Sequence, residues 1–305
     1  MSIVVVGSVA FDSIETPFGK ADRTIGGAAT YFSVAASFFS SVQLVGVVGS
    51  DFGSEEMRIF EGRPIDLTGL TRLEQGRTFY WSGAYGYDLN VANTLDTQLN
   101  VFAQFKPTLP ESYRNASVVF LANIDPELQL EVLAQVDHPR IVALDTMNYW
   151  ISSKRDALAE VMKKSDLILV NEGELRQFTG EANLVRGARR ILDLGSKIVV
   201  VKRGEYGVLM ISGEKIFAAP AFPLENVFDP TGAGDSFAGG FLGYLASCRD
   251  LDDRELRRAT VYGSVVASFV VEAFGLGRIL EISRDEIDSR FEEFKALTHF
   301  DSMRS

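Results

Sequence analysis

A single cysteine, Cys248, and two histidines, His138 and His299, are all that 305 residues offer for thiol or imidazole chemistry. That excludes an intrachain disulfide and a cysteine zinc cluster. His138 stands in an Asp-His-Pro turn and His299 in the C-terminal stretch, with no ligand-like cluster near either. Basic charge is short as well. Thirty Lys and Arg against 41 Asp and Glu leave a net charge of −11, which argues against nucleic acid or an anionic membrane surface as partner. No run reaches the roughly 18 apolar residues of a membrane span, and the N-terminal Ile3-Val4-Val5-Val6 stops at Gly7 without a basic flank or cleavage site. The expectation is a soluble cytoplasmic protein. Two common nucleotide signatures are also missing: Gly19-Lys20 is followed by Ala21 and lacks the earlier Gly of a P-loop, and Gly46-Val47-Val48-Gly49 does not match Gly-x-Gly-x-x-Gly.

What is present is 46% hydrophobic residues, enough for one large core over residues 1–305. Short Val-rich runs at 3–6, 42–48, 117–122, 141–144, 166–170 and 198–201 read as buried strands. Between them lie helical segments, one of them the nearly all-apolar stretch 28–39, and others near 127–136, 154–164 and 183–194. Strands alternating with helices predict a parallel sheet covered on both faces. A hairpin at 206–219 adds to it, and helices near 252–273 and 284–297 close the chain. Residues 11–25 and 66–106 do not fit the alternation. Phe79, Trp81, Tyr85 and Tyr87 share one parity, with Gly83 between, so an extended strand would put them on one side. These two stretches are expected to form a small β lid.

The most informative stretch is Asn226 to Phe237. Its approach ends at Asp229-Pro230, and an apolar helix runs on from Ser236, so Gly232-Ala233-Gly234 sits at a helix start. N–H groups there have no intrahelical partner and the dipole favours an anion. Asp235 falls in the same turn, where the positive end of the helix is expected to keep it ionised and able to accept a proton. An anion cradle beside a base suits phosphoryl transfer to a hydroxyl.

Asp229-Pro230-Thr231-Gly232-Ala233-Gly234-Asp235-Ser236-Phe237 closely resembles the C-terminal signature of the ribokinase (PfkB-type) family of carbohydrate and nucleoside kinases. Other segments follow in that family's order: Gly7-Ser8-Val9-Ala10-Phe11-Asp12, Gly26-Gly27, Asn171-Glu172-Gly173-Glu174, and Lys202-Arg203-Gly204-Glu205-Tyr206-Gly207. Asp145-Thr146-Met147-Asn148 matches its Asp-x-Asn segment only loosely. The resemblance implies a three-layer α/β/α sandwich with a small β-sheet lid. It implies ATP and Mg²⁺ as cofactors and, near Asp229 and 272–277, a monovalent cation such as K⁺. Asp235 would be the base, with Gly232, Ala233 and Gly234 as the anion hole. Asp12, Gly26, Gly27 and Tyr31 would line the acceptor pocket, Lys202, Gly204, Gly207 and Thr231 the nucleotide side, and Asn171 and Glu174 the metal side. A capping role for the last pair is the competing reading. The exposed edges of a lid invite a homodimer.

Two departures bear on the acceptor. Tyr31 stands where the family carries an Asn that often binds sugar hydroxyls, and Ala28 where ribokinases carry Lys. The family's usual substrates favour a small sugar phosphorylated on a primary hydroxyl, and that is the reading carried forward. The aromatic residues favour a nucleoside as the alternative. A non-catalytic sugar- or nucleotide-binding regulator is a third reading, opposed by the presence of both Asp235 and the Gly-Ala-Gly cradle.

Overall fold

Strand β1 (Ser2–Val6) shows how the chain sorts itself. Ile3 and Val5 enter one core and Val4 and Val6 another, and all four are fully buried. Side chains alternate across a strand, so a run apolar at every position needs cover on both faces. In the computed structural model, which describes residues 1–301, that cover is helical. One core holds helices Ala28–Ala36, Ala233–Ser247 and Asp253–Val270; the other holds Arg155–Lys164, Glu172–Thr179 and Leu184–Leu192.

The lid strands β2 (Ala10–Thr16) and β3 (Gly19–Gly26) come next, then β4 (Ser41–Val48) and β5 (Ile65–Arg72) of the main sheet. The lid resumes with β6 (Phe79–Tyr85) and β7 (Ala92–Gln98). The rest belong to the main sheet: β8 (Val118–Leu121), β9 (Ile141–Asp145), β10 (Leu167–Asn171), β11 (Ile198–Lys202), β12 (Val208–Ser212) and β13 (Lys215–Ala219). Its nine strands run β13-β12-β11-β10-β9-β8-β1-β4-β5, with only the β12 and β13 pairings antiparallel. The four-stranded lid sheet runs β3-β2-β6-β7. The predicted layering, buried strands and terminal hairpin are all present. Among the described residues no helix is long and apolar enough to cross a membrane.

Two expectations need correction. The lid stretch 66–106 starts too early, because β5 pairs in parallel with β4 at the edge of the main sheet. There Tyr113 fastens it, accepting from the Gly69 N–H and donating to the Asp66 carbonyl. The aromatic set also divides. Phe79, Trp81 and Tyr85 lie on β6, but Tyr87 is beyond its end and 89% exposed.

Helix Ala28–Ala36 has every residue buried because it is wedged between the main sheet and helix Ala233–Ser247. Small residues let the two helices approach closely. A methyl group added to Gly239 would sit 2.6 Å from both the Ala35 Cβ and the Phe32 carbonyl oxygen. This contact holds the start of Ala233–Ser247 against the start of Ala28–Ala36, which is where the site lies.

Candidate active site

Helix Ala233–Ser247 begins after Gly232, whose φ of 74° is left-handed and favours glycine. A side chain on Gly232 would also run into the ring of Tyr31. Asp229 shapes the approach to this turn. It is fully buried, one oxygen accepting the Thr231 N–H at 2.8 Å and the other the Gly275 N–H at 2.9 Å. Its carboxylate thereby ties the loop before the helix to the turn after Asp253–Val270. Of the three N–H groups expected to face an anion, that of Ala233 donates to the Pro230 carbonyl at 3.2 Å. Those of Gly232 and Gly234 have no backbone acceptor among the described residues. That leaves two glycine N–H groups at the helix start without a backbone acceptor among the described residues, with Ala233 spent on closing the turn.

Asp235 stands in the first helical turn, but it is not simply ionised as the helix end alone predicts. Burial pushes its carboxyl up to about 7, Asp145 pushes the same way, and Lys202 and its own N–H pull it down. Low-dielectric surroundings outweigh the helix dipole here. Asp145, Asn171 and Lys202 end the adjacent parallel strands β9, β10 and β11 and so meet at one edge. Lys202 Nζ is 2.7 Å from Asp145 Oδ2 and would lie 3.1 Å from a methyl group on Gly234. Burial opposes its charge, but Asp145, Glu174 and Asp235 more than offset that and raise its proton affinity. The ammonium thus sits beneath the helix start rather than out in the nucleotide loop.

Asn171 and Glu174 make a reciprocal cap. The Asn171 side chain accepts the Glu174 N–H at 2.8 Å, and Glu174 Oε2 accepts the Asn171 N–H at 2.7 Å. The capping reading is present in full, yet it uses only one Glu174 oxygen. Glu174 is 6% exposed, and burial followed by Asp145 pushes its carboxyl up to about 8.

Asp12, on β2, is 5% exposed. Burial raises it to about 7 against the pull of the Gly27 N–H, with Asp229 and Asp235 adding to the rise. It therefore shares a field with the turn from Asp229 to Asp235. Gly26 is glycine because a side chain there would overlap the Asp12 carboxylate, and Gly27 passes tightly under the Ser8 carbonyl. Tyr31 is buried to 1%. Among the described residues its hydroxyl has no protein partner; burial, and after it the charges of Asp12, Asp229, Tyr85 and Asp235, raise its proton affinity.

The lid reaches over these groups. The Tyr85 hydroxyl lies 3.2 Å from Thr231 Oγ1, and Asn90, in the β6–β7 turn, sits against Gly204. Gly204 opens the short turn Gly204–Tyr206 after β11 and meets the lid, Gly207 follows that turn, and Thr231 lies in the turn that Asp229 fastens. Sequence reasoning gave no role to Asp145 or Asn90, and took Tyr85 only as one of an aromatic lid face. Alignment of the C-terminal ends of the parallel strands could have found Asp145; nothing local marks Asn90.

Asp145, Glu174 and Asp235 thus act together on the Lys202 ammonium, and Asp12 feels Asp229 and Asp235 beside them. Among the described residues no group of three or more His, Cys, Asp or Glu could itself hold a metal ion. An excess of carboxylates without a cage fits a hard cation carried mostly by phosphate oxygens and water.

Comparison with known proteins matches residues 2–282 to the pfkB family of carbohydrate kinases. A cytidine kinase of Thermococcus kodakarensis is 31% identical over 258 residues, 83% of this chain and 91% of that protein. The solved nucleoside kinase of Methanocaldococcus jannaschii, described as an archaeal member of the ribokinase family, superposes with a TM-score of 0.77 at 23% identity, over 96% of this chain and 98% of that one. A Burkholderia thailandensis nucleoside kinase in complex with ADP-inosine reaches a TM-score of 0.80 at 17% identity, over 99% of this chain and 100% of its own.

Proposed function

This chain belongs to the pfkB family of carbohydrate kinases, and on that premise we propose that it transfers the γ-phosphoryl group of ATP to the primary hydroxyl of a nucleoside. The observation that carries the transfer is the Asp235 carboxyl beside the unpaired Gly232 and Gly234 N–H groups, in the field of Asp12. Asp235 takes the acceptor's hydroxyl proton as its oxygen bonds to phosphorus and the bond to the ADP oxygen breaks. The two glycine N–H groups and the Lys202 ammonium beneath them stabilise negative charge on the transferred group. Thr231, Gly204 and Gly207 border the nucleotide side, and Asp12, with Gly26 clearing space for its carboxylate and Gly27 next to it, receives acceptor hydroxyls.

Mg²⁺ supplies charge neutralisation on the phosphates when bound. Glu174, through the oxygen its cap leaves free, and Asn171 beside it would hold the ion's water shell. A monovalent cation would be served by the turn that Asp229 fastens, and replacement of K⁺ by tetramethylammonium tests it. A cytoplasmic setting, where ATP is available and Cys248 stays reduced, suits this activity.

The sequence alone leans to a free sugar. The named relatives support a nucleoside instead, because the 31% identity to a cytidine kinase extends over most of both chains. Product analysis tests the chemistry: cytidine is expected to give only the 5′-monophosphate and 5′-deoxycytidine no product. Phosphate on a ring hydroxyl would contradict the proposed geometry.

A further inference from the structure

Tyr31 packs its ring on the turn proposed to hold the phosphoryl group and carries its hydroxyl in the field of Asp12, proposed for the acceptor. It lies in the first turn of helix Ala28–Ala36, its N–H bonded to the Gly27 carbonyl at 3.1 Å, so its backbone is fixed beside the Gly-Gly pair. Its ring lies against the Cα of Gly232. Its hydroxyl is buried, finds no protein partner among the described residues, and feels the charges of Asp12, Asp229, Tyr85 and Asp235. Burial and these neighbours hold the phenol proton in place, so the group is a lasting donor. Tyr85 already has Thr231 as partner.

A carboxylate only accepts hydrogen bonds, whereas a sugar hydroxyl offers one proton and two lone pairs. A hydroxyl that gives its proton to Asp12 keeps lone pairs for a donor on the other side. We propose that Tyr31 determines acceptor specificity by donating its hydroxyl proton to one ring hydroxyl of the acceptor, while its ring holds Gly232 in the conformation that aims its N–H at the phosphoryl group. The proposal deepens the nucleoside-kinase reading and rests on it.

Two variants separate the hydroxyl from the ring. Steady-state kinetics are measured with cytidine, 2′-deoxycytidine and 3′-deoxycytidine, or with the deoxy forms of whichever sugar or nucleoside wild type uses best. Tyr31→Phe is expected to raise KM for the parent about tenfold or more with kcat within about threefold, and to leave KM for one deoxy analogue within about twofold of wild type. Tyr31→Leu is expected to lower kcat a further tenfold or so, with circular dichroism confirming that it is folded. Equal losses on the parent and both deoxy analogues, or no loss on any, would overturn the hydroxyl contact. A folded Leu variant with the Phe variant's kcat would overturn the role of the ring. Wild type inactive on every nucleoside and sugar overturns the kinase reading itself, which keeps the two failures apart.

Discussion

Of the proposed site residues, Asp235 is expected to carry the largest consequence of any single side chain. Replacement by Asn keeps its shape and removes its basicity, so kcat is expected to fall by about 100-fold or more with KM for ATP nearly unchanged. Turnover within a few-fold of wild type would remove it from the proton transfer. The carboxyl is pushed up to about 7, and a base works only when deprotonated. Below about pH 7, kcat/KM is therefore expected to drop roughly tenfold per pH unit, and above it to level off. Asp12 is raised to about 7 as well and feels Asp235, so the profile reports values of the set rather than of one residue. Glu174→Gln tests the metal side. It keeps an oxygen for the cap, so a higher Mg²⁺ requirement without loss of stability is expected. An unchanged Mg²⁺ titration would leave Glu174 as a cap alone.

At the scale of elements, the close approach of Ala28–Ala36 to Ala233–Ser247 sets the distance between pocket and cradle. Gly239→Ala places a methyl group 2.6 Å from Ala35 Cβ and is expected to destabilise the fold by about 1–3 kcal/mol in urea denaturation. A stability equal to wild type would mean that the helices can part freely. This element-level organisation was largely legible in the sequence. Val-rich runs such as 42–48 need no context to read as buried strands, and Gly232-Ala233-Gly234 before an apolar run marks a helix start. What escaped depends on neighbours distant in the chain. β5 carries Asp66, Thr68 and Thr71 on exposed positions, so its sequence conceals a sheet strand whose place is fixed by β4 and Tyr113. The protonation of Asp235 is set by burial and then by Asp145, 90 residues earlier, and no local pattern encodes that. The Ala233 N–H is lost to the Pro230 carbonyl by the geometry of one tight turn, which spacing cannot reveal.

For the whole molecule, the lid poses the first question. β7 is an edge strand exposed at every residue, flanked by Val91 and Leu99 and bearing Leu95, all more than 40% exposed. Such an edge offers unpaired backbone groups to another strand, so a homodimer through the lid is expected, and light scattering giving a monomer mass at micromolar concentration would contradict it. Tyr85 on Thr231 and Asn90 on Gly204 show the same lid closing over the site from within one chain. The account as a whole stands or falls on what this enclosed site phosphorylates. The most direct measurement is kcat/KM, with ATP and Mg²⁺, for cytidine, adenosine and inosine against ribose, fructose and related ketoses. The best nucleoside is expected to exceed the best sugar by more than about tenfold, near 1.4 kcal/mol of transition-state binding. A sugar preferred by that margin would contradict the nucleoside assignment.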